Sequence, residues 1–128
     1  MNRLLVRVGI AAVAAVAFNA ILRTVVRYGA HVPAEFDPFT WPPIVVATLA
    51  GMAGGVIVFL VLRAFLHDRA ARAFTWVAST VLALSLITPV TLLWSHPPQY
   101  PGTSLVTVLT LEVMHVSTAV ATIVALTL

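Results

Sequence analysis

The chain has 128 residues, of which 61% are hydrophobic and only 9% charged, against about 25% charged in an ordinary soluble domain. Mean hydropathy of +1.06 therefore places it in lipid, and the net charge of +3, carried by arginines that flank hydrophobic runs, marks topology anchors and no nucleic-acid partner. The absence of cysteine excludes disulfides, thiolate chemistry, and iron–sulfur or cysteine–zinc sites.

A spanning helix needs about 20 mostly apolar residues. Four runs reach that length, at about residues 4–28, 43–66, 72–94 and 103–128. They predict an all-α membrane protein of one domain, with four transmembrane helices in an up-down-up-down bundle, because its short connections favour antiparallel neighbours. The first run contains Ala15-Val16-Ala17 and resembles a cleavable signal peptide, but its apolar pattern continues to Val26, so it is expected to be retained. Pro33, Pro38, Pro42 and Pro43 punctuate the loop that follows. Its Phe36, Phe39 and Trp41, with Trp94 and Tyr100 of the third loop, are residue types that favour the headgroup zone and are expected on the membrane surface.

In the second run Ala47, Gly51 and Gly55 recur every four residues, a small-residue stripe that permits close helix packing. The stretch from Arg63 to Arg72 then forms a charged loop. With Arg3 and Arg7 it outweighs Arg23 and Arg27 on the other side, which lie close to Glu35 and Asp37. Both termini are accordingly expected in the cytoplasm of a multi-pass cell-membrane protein. Pro89 in the third run predicts a kink near its outer end, with Ser85 satisfying a released carbonyl.

The fourth run carries Glu112 and His115 inside a span, where ionisable groups are costly and point to function. Three residues apart, they share a helix face. They lie ~13 and ~18 Å below its outer end at 1.5 Å per residue. Asn19, Ser85 and the Gly51–Gly55 segment fall at similar depth, so Glu112, His115, Asn19 and Ser85 are candidates for one inward-facing polar layer, either holding the helices together or forming a ligand or proton site. Arg23, one long side chain away in depth, is a candidate partner for Glu112. A single Glu-x-x-His with no second intramembrane carboxylate does not complete a di-iron set. His96 lies too far from His115 in depth for a bis-histidine haem, and no metal or cofactor is expected. His31 with Glu35 and Asp37 reads as loop polarity.

The segments Ser85-Leu86-Ile87-Thr88-Pro89 and Leu109-Thr110-Leu111-Glu112-Val113-Met114-His115 resemble an uncharacterised family of small four-span bacterial integral membrane proteins. The most specific element is the Met114-His115 pair. The resemblance implies the four-span topology and no particular substrate.

Three functions compete. A noncatalytic membrane protein acting through helix packing, as a homo-oligomer or a subunit of a membrane complex, is the leading expectation, with membrane lipid as its surroundings. The alternative is a small transporter or lipophilic-ligand binder using the Glu/His/Asn layer. An enzyme with His115 as acid or base lacks a recognisable nucleophile or second catalytic group.

Overall fold

The computed structural model describes residues 2–128, with side chains from residue 3 onward. The regular elements among these residues are helical: α1 (Asn2–Gly29), α2 (Trp41–Leu66), α3 (Ala70–Ser85), α4 (Ile87–Ser95) and α5 (Leu105–Thr127), with short 3₁₀ turns at Asp37–Phe39 and His67–Arg69. Three helical stretches are long and apolar enough to cross a membrane: Arg3–Gly29, Trp41–Ser95 and Leu105–Thr127. Their outward faces carry Ile10, Val13, Ile21, Ile57 and Val81, all well exposed, a surface suited to hydrocarbon and costly in water.

The middle stretch is 55 residues long and folds back on itself. In one straight helix Phe59 and Phe74 would stand ~22 Å apart; their ring centroids are 5.5 Å apart, edge to face. The reversal occurs at His67, whose φ of 45° ends α2 in a conformation that continues no right-handed helix. Further on, Pro89 has no N–H to give the Ser85 carbonyl, and its ring crowds that group. The helix is interrupted at Leu86 as a result, and α4 sets off as a separate segment. Ser85 Oγ donates to the Leu82 carbonyl at 2.8 Å, three residues before the carbonyl that Pro89 releases, so it does not satisfy that released carbonyl as expected.

Helix α5 begins on a capping box. Ser104 Oγ accepts from the Thr107 N–H at 3.3 Å, and Thr107 Oγ1 accepts from the Ser104 N–H at 2.8 Å, which satisfies donors that a helix start leaves open. At its other end Arg7 of α1 donates to the Val124 carbonyl at 3.3 Å, bringing positive charge to the negative end of the α5 dipole. This contact and those of Asn19 with Ser117 and Thr118 make α1 and α5 antiparallel neighbours.

The aromatic loop residues are not all on the surface. Trp41 and Trp94 are exposed, but Phe36 and Phe39 are 0% and 1% exposed and form a small core with Val32, packed against Val26, Tyr100 and Leu111. Pro38 turns the segment into a 3₁₀ helix, so both rings point inward and meet edge to face at 5.1 Å. Gly102, at φ 89°, closes the same cap from the α4–α5 loop: a Cβ there would lie 2.5 Å from Pro33 Cδ. The two loops thus form one plug over that end of the helices.

Candidate functional site

Asn19 is the polar centre of the bundle, 2% exposed. Its Nδ2 donates to Thr48 Oγ1 of α2 at 3.0 Å and to Thr118 Oγ1 of α5 at 3.1 Å, while Oδ1 accepts from Ser117 at 2.8 Å. One amide therefore ties three helices. Each partner hydroxyl also lies within hydrogen-bond distance of a carbonyl of its own helix, Thr48 to Ile44 and both Ser117 and Thr118 to Met114. Such i−4 and i−3 bonding lets Ser and Thr sit in a helix at little cost while leaving a lone pair for a neighbour.

Asn19 also borders a cavity of about 720 Å³ enclosed by α2, α3, α4 and α5, which extends from the loop plug past Gly55. Its walls are mainly apolar, with Ser85 and His115 among the polar exceptions. His115 Nδ1 lies 2.7 Å from the Leu111 carbonyl. A carbonyl can only accept, so Nδ1 carries the hydrogen, and in the neutral imidazole Nε2 keeps a lone pair. No described side chain or backbone group donates a hydrogen bond to Nε2.

The cavity opens sideways. Ala50, Gly51 and Gly54 of α2 and Val77 and Val81 of α3 line it and are exposed, so its mouth is a slot between these two helices and not a channel along the bundle axis. The small-residue stripe has two roles here. Ala47 and Gly51 front the cavity, where a Cβ on Gly51 would meet only Thr118 Cγ2 at 3.8 Å. Gly55 is the point of closest approach: a Cβ would lie 2.6 Å from Thr122 Cγ2. The backbones of α2 and α5 come together there because Gly55 has no side chain.

Glu112 and Arg23 stand apart from this cavity and from each other. Among the described residues no ion pair joins them: Arg23 Nε donates to the Phe39 carbonyl at 2.7 Å, and its guanidinium lies 4.3 Å from the Trp41 ring centroid. Helix rotation explains the departure from the expected pairing. Ser117 faces Asn19 on α1, and Glu112, five residues earlier, is turned about 140° around the α5 axis from it. Glu112 Oε1 is buried without a hydrogen-bond partner among the described residues.

Sequence reasoning missed Thr48, Ser117 and Thr118, since hydroxyl residues are common in membrane helices. The available signal is the four-residue spacing of Thr118 and Thr122, which puts both on the α5 face toward α2. His31, His67 and His96 all have positive φ and stand where helices end. Among the described residues no three His, Cys, Asp or Glu side chains converge on a possible metal position. No curated protein and no solved structure matches the chain. A family model does, over residues 1–128, and the chain belongs to that family of unknown function, DUF6069.

Proposed function

We propose that this protein is a noncatalytic, four-span protein of the cell membrane that binds a lipophilic molecule in the cavity between α2 and α3. The observation that carries the reading is the apolar cavity of about 720 Å³, within the usual range for ligand pockets of ~300–1,000 Å³, with its mouth facing where hydrocarbon would be. A molecule dissolved in the bilayer could enter without crossing water. Asn19, Ser85 and the free Nε2 of His115 supply the few polar contacts that orient an otherwise apolar ligand.

Helix length supports the four crossings. Helices α1, α2 and α5 have 28, 26 and 23 residues, and α3 with α4 has 16 and 9, so each leg is ~35–42 Å long at 1.5 Å per residue, enough for a core of ~30 Å. The arginine distribution supports cytoplasmic termini.

The exposed small residues Ala50, Gly51 and Gly54 also favour a second reading, in which a helix of another copy or of a larger complex seats in the slot and the protein acts through packing. Photolabelling with an alkyl diazirine separates the two. Ligand binding predicts saturable labelling of residues in the slot, suppressed by competing unlabelled alkane-chain ligand and lost in Gly51→Trp. Labelling that rises without saturation and equally over all outward faces would rule the cavity out as a site.

A further inference from the structure

Arg23 presents a problem that the bundle does not solve within itself. The side chain is 5% exposed and carries a permanent positive charge, yet no ion pair reaches it among the described residues. Its hydrogen bond from Nε to the Phe39 carbonyl and its stacking on Trp41 fix the plane of the guanidinium. Among the described residues no acceptor takes the Nη1 and Nη2 hydrogens. They are not sealed in: a second cavity, of about 600 Å³, is lined by Arg23, Arg27, Tyr28, Thr40 and Trp41, on the loop-plug end of α1 and α2.

The donors around this cavity are specific. Thr24 and Thr40, which also line it, already give their hydroxyl hydrogens to the Ala20 and Asp37 carbonyls. Arg27 makes no side-chain hydrogen bond among the described residues, and Tyr28 is exposed. What faces the space is therefore two guanidinium groups and a phenol, with no carboxylate among the lining residues. A buried cation is costly unless paired and hydrogen-bonded. A planar fork held rigid by its other contacts is preorganised for two oxygens of one tetrahedral anion.

We propose that this pocket binds a phosphate-bearing anion between Arg23 and Arg27, in the form of an anionic phospholipid headgroup. The lipid source follows from position. Arg23 lies about six residues, ~9 Å, inside the end of α1, at the level where headgroup meets acyl chain, and the exposed Ile21 and Val25, which share the face of α1 that carries Tyr28 at the pocket's edge, would receive the chains. The site is separate from the slot between α2 and α3 and does not depend on what fills that slot.

The test uses the full chain in a nonionic detergent, titrated separately with dioleoylphosphatidylglycerol, dioleoylphosphatidylcholine and inorganic phosphate, with thermal unfolding and native mass spectrometry as readouts. Phosphatidylglycerol is expected to raise the unfolding midpoint and remain bound in a one-to-one complex, with phosphatidylcholine weaker. Arg27→Gln, which removes no side-chain hydrogen bond among the described residues, should weaken phosphatidylglycerol about tenfold or more, the equivalent of one charged hydrogen bond. Arg23→Lys keeps the charge but not the fork and should weaken it as well. Stabilisation by inorganic phosphate equal to that by the lipid would keep the anion site and overturn the headgroup assignment. Equal binding of both lipids, or an Arg27→Gln variant that binds phosphatidylglycerol as tightly as the parent, would overturn the site itself.

Discussion

Replacing Gly55 by alanine adds one methyl group at the tightest point between α2 and α5. The new Cβ would lie 2.6 Å from Thr122 Cγ2 and 3.6 Å from Phe74 Cζ, whereas carbon atoms rest at about 3.5–4.0 Å. About 1 Å must be found. Thr122 is poorly placed to yield it, because the side chain is buried and its hydroxyl donates to the Thr118 carbonyl at 2.7 Å. The remaining response is separation of the two helices, and overpacking of this kind costs about 1–3 kcal/mol. Alanine's better helix propensity returns about 1 kcal/mol, so the net change alone is a weak test. Gly51→Ala supplies the reference, since its Cβ meets nothing closer than 3.8 Å and should show the propensity gain by itself. Gly55→Ala is expected to be less stable than Gly51→Ala by about 1–3 kcal/mol, measured by circular dichroism during reversible unfolding in mixed micelles. Thr122→Ser removes the opposing methyl and should recover most of that loss, giving a double-mutant coupling of about 1–3 kcal/mol. Equal stability of the two alanine variants, or strict additivity with Thr122→Ser, would refute the close approach.

Asn19→Leu should destabilise the bundle by only about 1–2 kcal/mol in the same assay, because Thr48, Ser117 and Thr118 each retain a backbone partner and no buried group is orphaned; a loss above about 4 kcal/mol would mean that these hydroxyls depend on the amide. Gly102→Ala should lower the unfolding midpoint, since it places a side chain at positive φ and against Pro33; an unchanged midpoint would show that the two loops do not pack as one plug. The chain has no cysteine, so single cysteines report topology cleanly: at Ala34 and Gln99 they should react with an impermeant thiol reagent on intact cells, and at Asp68 only after lysis, the reverse pattern inverting the orientation.

The sequence made depth legible and left rotation hidden. Counting residues from the ends of apolar runs brings Asn19, Ser85 and His115 to one level, and the structure puts all three on the wall of one cavity. The same counting brings Arg23 and Glu112 within reach of each other, but helical phase decides which face meets which neighbour, and it turned them apart. Phase is hard to read here because the helices are apolar all round, with lipid on one side and protein on the other, so polarity marks neither face. Phe36 and Phe39 were misplaced for a related reason. Aromatic residues near a membrane end suit the headgroup zone and a small loop core equally well, and only the 3₁₀ turn at Pro38 distinguishes the two. The break at Leu86 was legible, because Pro89 has a local steric effect that needs no knowledge of neighbours.

Native mass spectrometry of the chain released directly from membranes tests whether the slot between α2 and α3 holds a lipophilic molecule. The parent protein is predicted to carry one small apolar adduct per chain beyond any phospholipid, and Gly51→Trp, which fills the space beside Thr118, is predicted to lose that adduct while keeping its helix content. A parent chain that emerges without such an adduct, as a dimer or hetero-complex that Gly51→Trp dissociates, would contradict ligand binding and assign the slot to helix packing.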